Sequence, residues 1–554
     1  MLRLSANLDT LASDFDLYPH RSLLFTAIRL DSHPLVRPLI ATGERTEPTL
    51  LVRQQEQGNV LSAGVDPERI RFYAPWVTID PRPIAGVDVA ETLTSLIDEL
   101  SEGEPVLLDA DVVYSHQLTL ADKLTVVTEP TAPNRVSVQA IPASTVMTQF
   151  ARWRVRGAQS AAELIADVPH LQGLTDEFVT SDARFTGLEA VAAERDIDAL
   201  VLLAPPNFSE VTGKPGNGDI AVWMPGDEQV YVIRLAVADA GSYCDTVGDY
   251  SSLGEAVSTL VPGKRIGIEE EFMSVGIAGQ LIDAGLDLVP TSNDLAHWRD
   301  IRDHEDLPFQ IIAARTSVYA IEEALNWAKG AIDAGVEFTE LDIHRRYLEY
   351  IDKFKKDNDI EFEVKPYFTN LHSSNRMLFP GPPVDFPIDS DTTCIQLDAG
   401  VQVTIDGVVV ATSDMARSLP RTPAAKEAYE FFFTVVRQGI IGQLRPGVVC
   451  EDVHEEALRF LAPHLPRMIE IGMLGEDTDF DAIYRGRNVG HLMGKQESFA
   501  NELRPGYKHA LDVGSYGAAE IPWRYGGVAI GTEDLWFIGR NRTYILTQRD
   551  LVAS

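Results

Sequence analysis

Apolar positions change period along this chain. From Leu397 to Leu419 they alternate: "LDAGVQVTIDGVVVATSDMARSL" is β-branched and apolar, with Asp406-Gly407 in its middle. Alternation around an Asp-Gly pair predicts a two-stranded hairpin. "AAEIPWRYGGVAIGTEDLWFI" repeats the pattern around Gly526-Gly527. Elsewhere the spacing is helical. "SVYAIEEALNWAKGAIDA" and "AAKEAYEFFFTVVRQGIIGQL" are long helical segments, and a similar unit follows each: "AGVEFTELDIHRRYLEYI" and "PGVVCEDVHEEALRFL". Both units read Gly-Val, a polar turn, Asp-Ile/Val-His, then an amphipathic helix. The C-terminal third is therefore expected to duplicate a helix-turn-helix unit, with strands between the copies.

The N-terminal part echoes itself as well. "EPTLLVRQQ" is answered by "EQVYVIRLA". "VAETLTSLIDELSEGEPVLLDADVVYSHQLTLADKLTVV" is answered by "LGEAVSTLVPGKRIGIEEEFMSVGIAGQLIDAGLDLV". Each copy predicts an α/β domain with a partly parallel sheet. The expected division is 1–165, 166–308 and 309–554, with the polar "HWRDIRDHEDLP" as the hinge into the third domain. A length of 554 residues exceeds what one hydrophobic core usually serves, which agrees with several domains.

Both hairpins carry acids. A three-residue loop from Ile405 to Gly407 would pair Thr404 with Val408 and so set Asp398 opposite Asp414. A two-residue loop at Gly526-Gly527 would pair Tyr525 with Val528, and Glu520 with Glu533. Directly opposed side chains stand about 5 Å apart. Carboxylates that close repel unless a cation lies between them. His491 in "RNVGHLMGKQES", flanked by Gly490 and Gly494, offers a nitrogen ligand where backbone could pass close to a metal. Four carboxylates and one imidazole suit two Mn, Fe, Co or Zn ions, which together can activate water and polarise a carbonyl.

Composition narrows the partners. The formal charge is −36, which argues against nucleic acid or an anionic membrane surface as a partner. Three cysteines, Cys244, Cys394 and Cys450, are too few and too scattered for a disulfide framework or a CxxC zinc site. The N-terminus lacks the pattern of a signal peptide, and no run is long enough to span a membrane. A cytoplasmic protein is expected.

The order Asp, Asp, His, Glu, Glu, in the contexts "LDAG", "SDMARSL", "GHLMG", "AAEIP" and "GTEDL", resembles the pita-bread metallopeptidases: methionine aminopeptidase, prolidase, aminopeptidase P and creatinase. "FTGLEAVAAERDIDALVLLAPPNFSEVTGKP" resembles the start of the creatinase/prolidase N-terminal domain. The resemblance implies an α/β and α+β architecture of two tandem creatinase-type N-terminal domains and a C-terminal pita-bread domain, as in the longer aminopeptidase P enzymes. It implies a homodimer. It makes Asp398, Asp414, His491, Glu520 and Glu533 the ligands of two divalent ions, and Glu520 the catalytic base.

The sequence also departs from that family. The step from Asp398 to Asp414 is longer than usual. A histidine expected shortly before the first Asp strand is missing, and Arg487 and Ser498 stand where peptidases carry substrate-binding histidines. Candidate replacements are His372 and Glu497 for proton transfer, and Arg487 and Lys495 for binding an anionic substrate. Three functions compete. One is an Xaa-Pro peptidase of the aminopeptidase P or prolidase type. Another is an enzyme acting on a small anionic metabolite, as creatinase and a dimethylsulfoniopropionate lyase do on this fold. The third is a metal-poor binding module, like the fold's histone-chaperone relatives. The intact ligand set with missing histidines favours a metal-dependent enzyme that cleaves a C–N bond in a small, anionic or short-peptide substrate with non-standard specificity.

Overall fold

The computed structural model describes residues 1–7, 34–43, 46–54, 60, 65–74, 89–131, 134–235, 245–374, 381–471, 488–496, 501–521, 523–525 and 528–549. Arg487, Glu497 and the Gly526-Gly527 turn lie outside them.

Among the described residues, the N-terminal part contains two seven-stranded mixed sheets. In the first, the order is Val89–Ala90, Ile70–Tyr73, Thr46–Arg53, Leu39–Gly43, Leu2–Ser5, Val106–Leu108 and Val126–Thr128. In the second it is Asp245–Tyr250, Val136–Pro142, Gln229–Arg234, Ile220–Trp223, Ala199–Leu202, Arg265–Ile268 and Asp287–Pro290. The strands containing the two short echoed sequences, Thr46–Arg53 and Gln229–Arg234, hold equivalent places. The expected division at residue 165 is corrected by the pairing. Val136–Pro142 lies inside the second sheet, antiparallel to Gln229–Arg234, so the second unit begins before Val136. The helix Ala143–Ile165 continues from that strand, and Phe309 packs so closely on it that a Cβ at Gly157 would lie 2.5 Å from the Phe309 ring.

The C-terminal part contains the expected helical repeat. Leu307–Asp333 and Glu340–Asp357 form one unit; Pro423–Thr434, a π-helical turn at Val435–Ile440, and Cys450–Leu461 form the other. Gly335 and Gly447 turn the chain at corresponding points with φ of 67° and 85°, a conformation that a side chain disfavours. Between the helical units runs a sheet of Glu363–Ser373, Cys394–Ile405 and Val408–Thr412, with Met415–Pro420 also pairing with Cys394–Ile405. A second sheet joins Gly490–Leu492, Tyr516–Glu520, Glu533–Ile538 and Thr543–Ile545. Among the described residues, no helix is long and apolar enough to cross a membrane.

A buried ionic seam joins the second sheet unit to the C-terminal part. Arg154 pairs with Asp182, Glu305 and Asp306; Arg184 with Asp182 and Glu210; Arg302 with Glu210 and Glu305; Lys495 with Glu210 and Asp306. The four cations balance the four carboxylates, which is the condition under which buried charge is tolerated. Asp303, beside the seam, is different. Burial, together with the nearby carboxylate of Asp300, pushes its carboxyl well above the usual range. A raised folded-state pKa contributes stability at low pH that is lost as pH rises through it. Asp303→Asn, which keeps the shape and cannot ionise, should therefore melt higher than wild type at pH 8. The gap should close as pH falls toward 4, and thermal melts across that range would show it.

Candidate metal centre

Three of the expected ligands converge. One ligand atom each from Asp414, His491 and Glu533 lie within 4.8 Å of one another, and all three residues are buried. His491 Nε2 is 3.9 Å from Asp414 Oδ2 and 4.0 Å from Glu533 Oε1. The other ring nitrogen, Nδ1, lies 3.0 Å from the Leu492 carbonyl oxygen, which accepts a hydrogen bond only if Nδ1 carries the proton. Nε2 is the ring nitrogen that faces the carboxylates. An imidazole nitrogen beside two buried carboxylates is the donor set a divalent cation takes. The residues present therefore fit the metal that the sequence suggests.

The chain positions each group by close backbone approach. A Cβ on Gly400 would lie 1.9 Å from the Ser413 carbonyl, so a side chain there would push the Asp414 segment off the sheet. The Ser413 backbone N–H donates to Val401 O at 2.9 Å, and Ser413 Oγ lies 2.6 Å from Ser317 Oγ on the long helix. Gly490 has φ 142°, and its Cβ would lie 2.2 Å from Ala518 O. Gly490 thus lets the His491 strand approach the neighbouring strand, and Gly494 makes room for the Asp303 carboxylate. Thr412 N–H and Oγ1 both donate to Gly494 O, at 2.7 and 2.8 Å, tying the hairpin to the His491 segment.

The two acidic pairs fare differently. Glu520 pairs directly with Glu533, as expected. Asp398 does not face Asp414. The turn is the two residues Asp406 and Gly407, with φ of 53° and 82°, so Ile405 pairs with Val408 and Thr404 with Val409. A bulge follows between Val403 and Thr404, and Asp398 comes to lie between Asn370 and Ala416. Residues two apart on a strand share a face, so His372, opposite Gln396, is on the face that carries Asp398.

Lys495 is removed from the expected substrate-binding role. It is 5% exposed and paired with Glu210 and Asp306, so its charge is already committed. Sequence reading missed Arg417, Tyr347 and Tyr516. Arg417 donates to Glu533 O at 2.6 Å and to Asp534 Oδ1 at 2.7 Å, which fixes the backbone beside one ligand. Tyr347 donates to Gly400 O and Tyr516 to Thr412 O, each at 3.0 Å. Burial, then the Asp414 and Asp398 charges, push the Tyr347 phenol up, so it stays a donor. Arg417 lies inside the quoted "SDMARSL", but nothing local says which distant backbone it would hold.

Residues 312–538 match metallopeptidase family M24, and residues 184–301 match the creatinase/prolidase N-terminal domain. These two regions, 312–538 and 184–301, belong to the pita-bread creatinase/aminopeptidase P family. They make the protein an M24 metallopeptidase-like, metal-dependent hydrolase. No curated protein matches it by sequence. Among solved structures it is similar to the prolidase from Pyrococcus horikoshii, at 17% identity over 67% of this chain and 99% of that one, TM-score 0.51. It is similar to the Xaa-Pro dipeptidase from Bacillus anthracis, at 14% identity over 66% and 97%, TM-score 0.50. It is also similar to the N-terminal domain of a FACT complex subunit from chickpea, at 14% identity over 66% and 96%, TM-score 0.54. At these identities the likenesses establish the fold.

Proposed function

We propose that this family member hydrolyses a C–N bond in a small peptide-like, anionic substrate, using two divalent cations. The observation that carries the metal part is the buried Asp414–His491–Glu533 cluster, with the His491 tautomer set by Leu492 O. Asp398 and Glu520 complete the proposed ligand set, each on a strand beside the cluster. Bound there, divalent cations would acidify water and polarise the scissile carbonyl. Glu520 is proposed to accept the proton of the attacking water. His372 or Glu497 would return a proton to the leaving nitrogen.

The anionic preference rests on Arg487, since Lys495 is engaged in the seam. A permanent guanidinium in place of an imidazole suits a substrate carboxylate better than proton transfer. The fold alone leaves two other readings: an ordinary Xaa-Pro peptidase, like the solved prolidases, and a binding module on the fold shared with the FACT subunit. The test joins metal analysis of purified protein to an assay of neutral-tailed Xaa-Pro peptides against acidic dipeptides. Acidic substrates should be favoured, and Arg487→Ala should raise KM for them more than it lowers kcat. Strong Xaa-Pro turnover indifferent to Arg487→Ala would restore the ordinary peptidase. A protein without metal or turnover would be the binding module.

A further inference from the structure

Asp398 has two neighbours in the sheet. On one side is Ala416, whose side chain has no polar atom; on the other is Asn370, in direct cross-strand register. Asn370 Nδ2 donates to Asp398 Oδ2 at 3.0 Å. Both side chains are half-buried, and both backbones are held by the same ladder, so the amide and the carboxylate meet without a flexible stem between them. Asn370 also suits the task chemically. An amide N–H stabilises an ionised carboxylate without adding a charge that competes for it. A donor on one oxygen fixes the plane of the carboxylate and directs the other oxygen. The tight group of ligand atoms within 4.8 Å is formed by Asp414, His491 and Glu533, and Asp398 is not among them.

We infer that Asn370 is a positioning residue for the cation site built on Asp398. It orients that carboxylate and so sets how tightly this second ion is held. The Asp414–His491–Glu533 position fills independently of it. This inference rests on the two-cation reading above. Removing partners that orient a metal ligand typically costs about 10–100-fold in affinity.

The test is Mn²⁺ binding to the metal-stripped full chain, by equilibrium dialysis with metal analysis, for wild type, Asn370→Leu, Asn370→Ser and Asp398→Asn. Leu keeps the approximate size and loses the donor; Ser keeps a donor. Wild type should take up two ions. Asn370→Leu should weaken one step by about 10–100-fold and leave the other unchanged. Asn370→Ser should fall between Leu and wild type. Melting in EDTA should match wild type for both Asn370 variants, which separates positioning from folding. If Asp398→Asn removes one ion while Asn370→Leu and Asn370→Ser bind like wild type, the inference fails and the ligand reading stands. Equal weakening of both steps in Asn370→Leu also overturns it. If Asp398→Asn still takes up two ions, Asp398 is not a ligand and the inference falls while two-cation binding stands; wild type taking up fewer than two ions would instead overturn the two-cation reading.

Discussion

Asp414→Asn and Glu533→Gln should each abolish uptake of at least one metal ion and lower kcat/KM by about 10³-fold or more, the several kcal/mol that a catalytic cation supplies. Both residues are buried, 5% and 2% exposed, and their ligand atoms share one 4.8 Å cluster with His491. Without a cation, two carboxylates so close repel each other. Removing one charge while keeping its shape relieves that repulsion. The variants should therefore melt at or above wild type in EDTA. In Mn²⁺ the order should reverse, because wild type gains stability by binding the ion and the variants do not. Metal analysis and paired melts read both effects. Full metal stoichiometry in either variant would take that residue out of the site.

The second large effect is expected at the ionic seam. Lys495→Met keeps the length of the side chain and removes its charge. Glu210 and Asp306 would then stay buried with one cation fewer, a change that typically costs about 3–5 kcal/mol. In wild type, Lys495 is the first attraction holding each of these carboxyls below the usual range, against the burial that pushes them up. A depressed folded-state pKa gives stability that is present above the unfolded value and lost as pH falls through the folded value. The loss in Lys495→Met should thus be largest near neutral pH. It should shrink below about pH 4, where the unfolded carboxyls take up protons. Denaturant titrations at pH 7 and pH 4 check the sign. A loss of the same size at both values would mean that packing, not charge, is what Lys495 contributes.

Local pattern revealed some of the site and concealed the rest for identifiable reasons. Glu520 and Glu533 were readable because the ladder from Tyr525–Val528 back to them keeps one register. The Asp398–Asp414 pairing was misread because alternation does not reveal a bulge. The tight turn at Asp406-Gly407 and the irregularity at Val403/Thr404 together shift Asp398 to face Ala416. His491 stood out by type and context, while its tautomer depends on the position of a single carbonyl oxygen. Lys495 looked available to an anionic substrate because its partners, Glu210 and Asp306, are distant in sequence. The helical repeat was readable throughout, since Gly335 and Gly447 mark both copies.

The seam also bears on how the molecule could be divided. Lys495 is four residues from His491, yet its partners Glu210 and Asp306 both precede the start of the M24 match at residue 312. Arg542 donates to the carbonyls of His170 and Gln172, a second tie across the same junction. A fragment cut at residue 309 would keep all five proposed ligands and lose the counter-charges next to one of them. It would also bare the face of the long helix that now packs on Ala143–Ile165. The part that carries the proposed ligands is therefore no portable module: cut from the domain before it, it would have to refill a buried charge network and re-cover a helix face before it could stand alone.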